Sequence, residues 1–246
     1  MFKFFKENNL TAPAIIIGLA IILTALVFRS SANLFANKGD SITVTGSTER
    51  YVTSDTAKWN IMLSYRSSDL RTGNQNISKQ SDEIKNYLIK NGYKAEEIRT
   101  NAAQNFPVCA LGPQGYENCS LGIVAYNLNQ TVTVESSDVN KVDKLSKEIN
   151  NDFSSYSLAS NVEYYYNNLK NVRAEMLNEA TKNALERAKS VADAGGANIG
   201  KITSLSSGVF QVTAKNSVNY DDYGSYDTAA LEKKITATVK ANFSVK

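Results

Sequence analysis

Two stretches of this chain repeat one another at a spacing of about 104 residues, and that duplication narrows the folds open to it more than any other feature. Gly92 matches Gly196 and Ile98 matches Ile202; Thr131-Val132-Thr133-Val134 matches Thr236-Ala237-Thr238-Val239 after a slip of one residue. So long a period is not a solenoid turn, so each copy is half of a domain. In the first copy Thr56–Ser67 alternates as a strand, with Trp59, Ile61, Leu63 and Tyr65 on one side, and Ile42–Gly46 before it alternates likewise. Leu70, Ile77, Ile84 and Leu88 then share one helix face, which Asn91-Gly92 ends. The strands 98–108 and 123–135 follow. A linking helix over 138–150, with Asp138 as N-cap, buries Val139, Val142, Leu145 and Ile149.

The second copy repeats the order: a strand over 157–167, a helix over 172–194, and strands over 202–213 and 235–245. Val172, Met176, Ala180, Ala184, Ala188 and Ala192 step by four, giving that helix a narrow face of mostly small residues that approaches a sheet closely. The pattern predicts an α+β fold of duplicated strand-helix-strand-strand units, halves 41–136 and 157–246. Its sheet is mostly antiparallel with helices packed on one face.

Ahead of this body lies Leu10–Phe28, uncharged throughout and flanked by Lys3, Lys6 and Arg29. As a helix it is about 28 Å long, close to the thickness of a bilayer core. It is expected to be one transmembrane helix, a signal anchor over 10–28 with residues 1–9 cytoplasmic and 29–40 a tether to an exported domain at 41–246. The alternative is a signal peptide cut near Ala32, leaving a soluble periplasmic protein. The apolar run exceeds an ordinary signal core and Arg29 crowds that cut, so the anchor is preferred.

The net charge of +3 arises before residue 39, where Lys3, Lys6, Arg29 and Lys38 face Glu7 alone. The rest of the chain is balanced, so there is no basic footprint for nucleic acid. Histidine is absent, which removes the commonest general base and metal ligand. Cys109 and Cys119 bracket a loop containing Gly112, Pro113 and Gly115, and in an exported chain they are expected to form a structural disulfide. Their spacing does not match a Cys-x-x-Cys redox pair.

The segment SITVTGSTERYVTSDTAKWNIMLSYRS resembles the opening of the SIMPL-domain family, whose exported bacterial members read I-x-V-x-G-x-G and then V-x-P-D-x-A. Here the pattern is carried by Ile42, Val44 and Gly46, then Val52, Asp55 and Ala57. Thr48 stands where a second glycine is common and Ser54 where proline is common. The likeness extends over 41–246 and includes the VADAGG helix end. It implies a periplasmic envelope protein, akin to the immunogenic and oxidative-stress-defence members, building large ring-like or channel-like particles. It supplies no catalytic residues.

Three local features invite a site. Asp221, Asp222 and Asp227 sit in the Tyr/Asp loop NSVNYDDYGSYD, but their order does not fit a calcium loop. Tyr220, Tyr223 and Tyr226 in the same loop are candidate interface residues. Tyr164-Tyr165-Tyr166 alternates across a strand, which favours packing over a stacking platform. Ser78-Lys79 is the nearest approach to a serine-lysine pair and lies on a helix. No catalytic residue, cofactor or metal is assigned. The expected function is a non-enzymatic, membrane-anchored envelope protein that self-assembles, with a scaffold or stress-protection role. The alternative is a redox or small-molecule enzyme with a site between the repeats.

Overall fold

The computed structural model describes residues 11–36, 40–218, 221 and 223–246. Its elements in chain order are α1 (Thr11–Ala36), β1 (Ser41–Thr53), β2 (Thr56–Ser67), α2 (Leu70–Lys90), β3 (Ile98–Thr100), β4 (Gln104–Cys109), β5 (Ile123–Ser136) and α3 (Val139–Asp152). Then come β6 (Ser157–Tyr165), α4 (Leu169–Ala194), β7 (Ile199–Ser207), β8 (Gln211–Ala214) and β9 (Glu232–Val245). The fold is α+β with mostly antiparallel sheets and, among the described residues, four α-helices. The chain divides into two compact units, residues 47–180 with 207–238, and residues 1–46 with 181–206 and 239–246. The elements β1, α4, β7 and β9 contribute residues to both.

The larger unit is built on a five-stranded sheet ordered β3-β5-β2-β6, with β4 also paired to β5. Its β2 runs antiparallel to β5 from Ala57 opposite Ser136 to Ser67 opposite Tyr126. Alternation sends Ala57, Trp59, Ile61 and Leu63 to one face, where α2 contributes Ile77, Ile84 and Leu88 and α3 contributes Val139, Val142, Leu145 and Ile149. All of these are buried. Both helices therefore cover one face, as the periodicity requires. The helices start on carboxylates: Asp69 accepts the Thr72 N–H at 2.7 Å and Asp138 accepts that of Lys141 at 3.1 Å. Trp59 donates its indole N–H to Ser160 Oγ at 2.8 Å. A second cluster in this unit gathers Met176, Val212, Ile235 and Ala237.

The smaller unit packs Ala184 and Ala188 of α4 against Ala241 and Phe243 of β9, with Val44, Leu185 and Ile199 at the margin. Small residues spaced by four bring the helix close to the strand, and Phe243 fills what the alanines leave. Asn198 and Lys246 exchange backbone hydrogen bonds at 2.8 and 3.0 Å.

The duplication is visible in hydrogen bonds as well as in element order. The Tyr93 N–H reaches Leu88 O and the Gly92 N–H reaches Ile89 O; 104 residues later, the Ala197 N–H reaches Ala192 O and the Gly196 N–H reaches Asp193 O. Both glycines have positive φ, +81° and +70°, the left-handed turn that closes a helix and that glycine adopts without steric cost. The pairing departs from a simple doubling. Strand β6, which opens the second copy, joins the first sheet beside β2, while β9 pairs with β1 and β7.

Two single strands of the sequence reading are each broken. Residues 98–108 form β3 and β4, and their register on β5 slips by one residue between Thr100 opposite Val132 and Gln104 opposite Asn129. Residues 202–213 form β7 and β8, separated at Gly208, where a Cβ would lie 2.2 Å from Thr238 Oγ1. At the amino terminus the helix continues through residues 29–36, into the stretch read as a tether. Among the described residues no helix is long and apolar enough to cross a membrane.

Candidate functional site

The opening motif holds backbone in place. Asp55, in the turn between β1 and β2, accepts the Asn167 N–H on both carboxylate oxygens at 3.0 Å and the Asn168 N–H at 3.2 Å. These donors lead directly into α4, so the carboxylate sits at the positive end of that helix. Asn167 also donates its amide to Thr56 Oγ1 at 2.8 Å. Ser54, at the position where the family often has proline, donates its N–H to Leu231 O at 3.0 Å, a bond proline has no hydrogen to make. Thr48, at the other departure, donates to Glu179 Oε2 at 2.9 Å, and Arg50 reaches Glu175 at 2.7 Å and Glu179 at 2.8 Å. The hydrogen bond from Arg50 lowers the Glu175 pKa, and the same bond raises that of Arg50.

The cysteine loop is closed. Cys109 and Cys119 are joined by a disulfide of 1.97 Å, with Cα atoms 4.7 Å apart. Around it the Ala110 N–H donates to Gly122 O at 2.9 Å and the Asn118 N–H to Ala110 O at 2.8 Å, and Leu111 bridges Glu117. The Asn118 side chain accepts the Ser120 N–H at 3.0 Å. The expected pairing is therefore present, on a loop whose backbone is tied at several points.

The Tyr/Asp loop, at the equivalent hairpin of the second copy, is secured by lysines. Lys233 is fully buried, and its ammonium donates to Asp227 O and Ala230 O at 2.7 Å and to Asp227 Oδ1 at 3.1 Å. Burial pulls its pKa below the ordinary lysine value, partly offset by Asp227. Lys234, also buried, donates to Ser217 O at 3.0 Å and lies 3.7 Å from Glu49. A cleft of about 390 Å³ under the loop is lined by Thr213, Ser217, Asp221, Ser225, Tyr226 and Asp227, among others. Of the three aspartates weighed for calcium, Asp227 is bonded to Lys233 and Asp221 accepts the Tyr223 N–H at 3.0 Å. Asp222 lies outside the described residues. Among those residues no cluster of His, Cys, Asp or Glu is arranged to hold a metal.

The interface tyrosines separate. Tyr223 is 94% exposed. Tyr226 turns back onto the body: its hydroxyl accepts the Tyr166 N–H at 2.9 Å and its ring stacks on Tyr165 at 6.4 Å. Tyr220 lies outside the described residues. Tyr164 is buried and donates to Asp143 at 2.9 Å; burial and that bond push its pKa up. Asp143, which also receives Lys147 at 2.6 Å, is lowered, chiefly by the lysine. Ser78 and Lys79 are exposed neighbours on α2, lining a shallow groove with Asp82 and Glu83. Sequence reasoning missed Arg50 and Lys233. A lysine pair in an alternating strand carries no local sign of burial, because the cover comes from a distant loop.

The sequence pattern of the SIMPL family, a protein of unknown function (DUF541), matches residues 42–243, and the chain belongs to that family. No curated protein matches it.

Proposed function

From this membership as premise, we propose that the chain is a non-enzymatic cell-envelope protein of the bacterial cytoplasmic membrane. Residues 10–28 anchor it, and the exported domain self-assembles in a scaffold or stress-protection role, without nucleic acid or cofactor. The observation that carries this reading is α1, whose Ile15, Ile16, Ile17, Leu19, Ile21 and Ile22 are each at least half exposed in an isolated chain. A helix that is apolar all round is suited to lipid, since it has no polar face to turn to water. The disulfide agrees with an oxidising compartment outside the cytoplasm.

The engagement of the charged groups supports a structural role. Asp55, Asp69 and Asp138 accept backbone N–H groups at helix starts, and Lys233 holds a loop. These are roles that fix a fold.

The test is extraction of membranes with alkaline carbonate, followed by intact mass and by light scattering in mild detergent. The expected protein stays with the membrane, begins at Met1 or Phe2, and has a mass several times the 26.9 kDa chain. A chain beginning at Asn33, or a monomer at tens of micromolar, would overturn the anchor or the assembly respectively.

A further inference from the structure

The β4–β5 hairpin is an arm with apolar side chains on its outside. Its β5 extends past the last residue paired to β2, Tyr126, so residues 123–125 have β4 alone beside them. Phe106, Leu111, Tyr116, Leu121, Ile123 and Val124 are each at least half exposed. At those exposures they leave on the order of 600 Å² open, divided between the two sides of the arm because Ile123 and Val124 are adjacent on one strand, against the roughly 800 Å² that one partner gives to a stable interface. Ordinary surfaces scatter such residues singly, and a concentration on one hairpin marks an interaction site.

Charge identifies the occupant. From Gln104 to Asn127 the sequence holds one charged residue, Glu117, and no lysine or arginine. An arm without cations has nothing to draw it to anionic lipid headgroups, which amphipathic membrane-surface segments engage through basic residues. A nearly uncharged surface instead meets a copy of itself without like-charge repulsion, the condition a symmetric self-contact imposes. The disulfide and the surrounding backbone bonds hold the arm in one shape beforehand, which reduces the ordering cost of association. Pro107 sits on the outer strand β4 and supplies no N–H there, so the contact is made through side chains and not by adding strands.

We infer that this disulfide-closed arm, residues 104–124, is the surface through which one copy of the chain docks on another. The inference rests on the self-assembly proposed above and names its contact surface. It assigns that role to the cysteine arm, where the sequence had pointed to the Tyr/Asp loop.

The test uses the full-length protein in mild detergent. Sedimentation of wild type is compared with the triple variant Leu111→Ser, Tyr116→Ser, Leu121→Ser, whose positions leave both cysteines intact. Association weakened at least tenfold supports the arm; equal assembly of the two proteins overturns it while self-assembly stands. A monomeric wild type overturns both. Should the triple variant fail to fold, benzoylphenylalanine in place of Tyr116 decides: irradiation is expected to yield an adduct of two chains, and an adduct to lipid or a foreign protein, or no adduct, overturns the inference.

Discussion

The β4–β5 hairpin is closed by a covalent bond and turns its apolar side chains outward. At the equivalent place in the second copy, the β8–β9 hairpin is closed by ammonium groups and turns its polar anchors inward. A disulfide holds its loop without needing a desolvated pocket, so the first hairpin is free to project as an arm. An ammonium–carbonyl anchor is strong only where water is excluded, so the second must fold back until Lys233 is fully buried. The same position in a duplicated fold thus gives one loop suited to reaching a partner and one suited to covering its own sheet.

Lys233→Met is the largest expected break in this contrast. It leaves Asp227 O, Ala230 O and the Asp227 carboxylate without their donor, at a cost of about 3 kcal/mol. The melting temperature should fall, with amide exchange rising first in residues 215–231. Loss of both cysteines, Cys109→Ser with Cys119→Ser, should act mainly by loosening the arm locally, a loop this short releasing at most about 3 kcal/mol of chain entropy. Hydrogen exchange confined to residues 104–124 checks it, and loosening of the Tyr/Asp hairpin as well would show that the two are not independently held. Thr213→Val should have the smallest effect. The Thr213 hydroxyl is buried and has no hydrogen-bond partner among the described residues, so its removal is neutral or stabilising by up to about 1 kcal/mol. A urea titration suffices, and destabilisation of that size would reveal a partner at the polar cleft.

The sequence was most informative where burial follows a local period. The faces of α2 and α3, the Ala-rich face of α4 and both glycine helix ends are where alternation and spacing placed them, because each depends on residues within a few turns. What stayed illegible depends on distant chain. The placement of β6 beside β2 is set by pairing, and its residues do not distinguish one sheet from the other. The burial of Lys233 and Lys234 comes from a loop that folds over β9. Asp55 was recognisable as part of a motif, but its partners, Asn167 and Asn168, lie more than a hundred residues away. The break at Gly208 arises from close approach to Thr238, a contact that no local pattern records.

The most direct test of the account is hydrogen exchange on full-length protein in mild detergent, compared between its assembled form and the same protein diluted to monomer. Assembly through the arm predicts that amides of residues 104–124 slow by at least tenfold on association while those of residues 215–231 keep their rates. Slowing of the Tyr/Asp hairpin with the arm unchanged would contradict it and return the interface to the tyrosines.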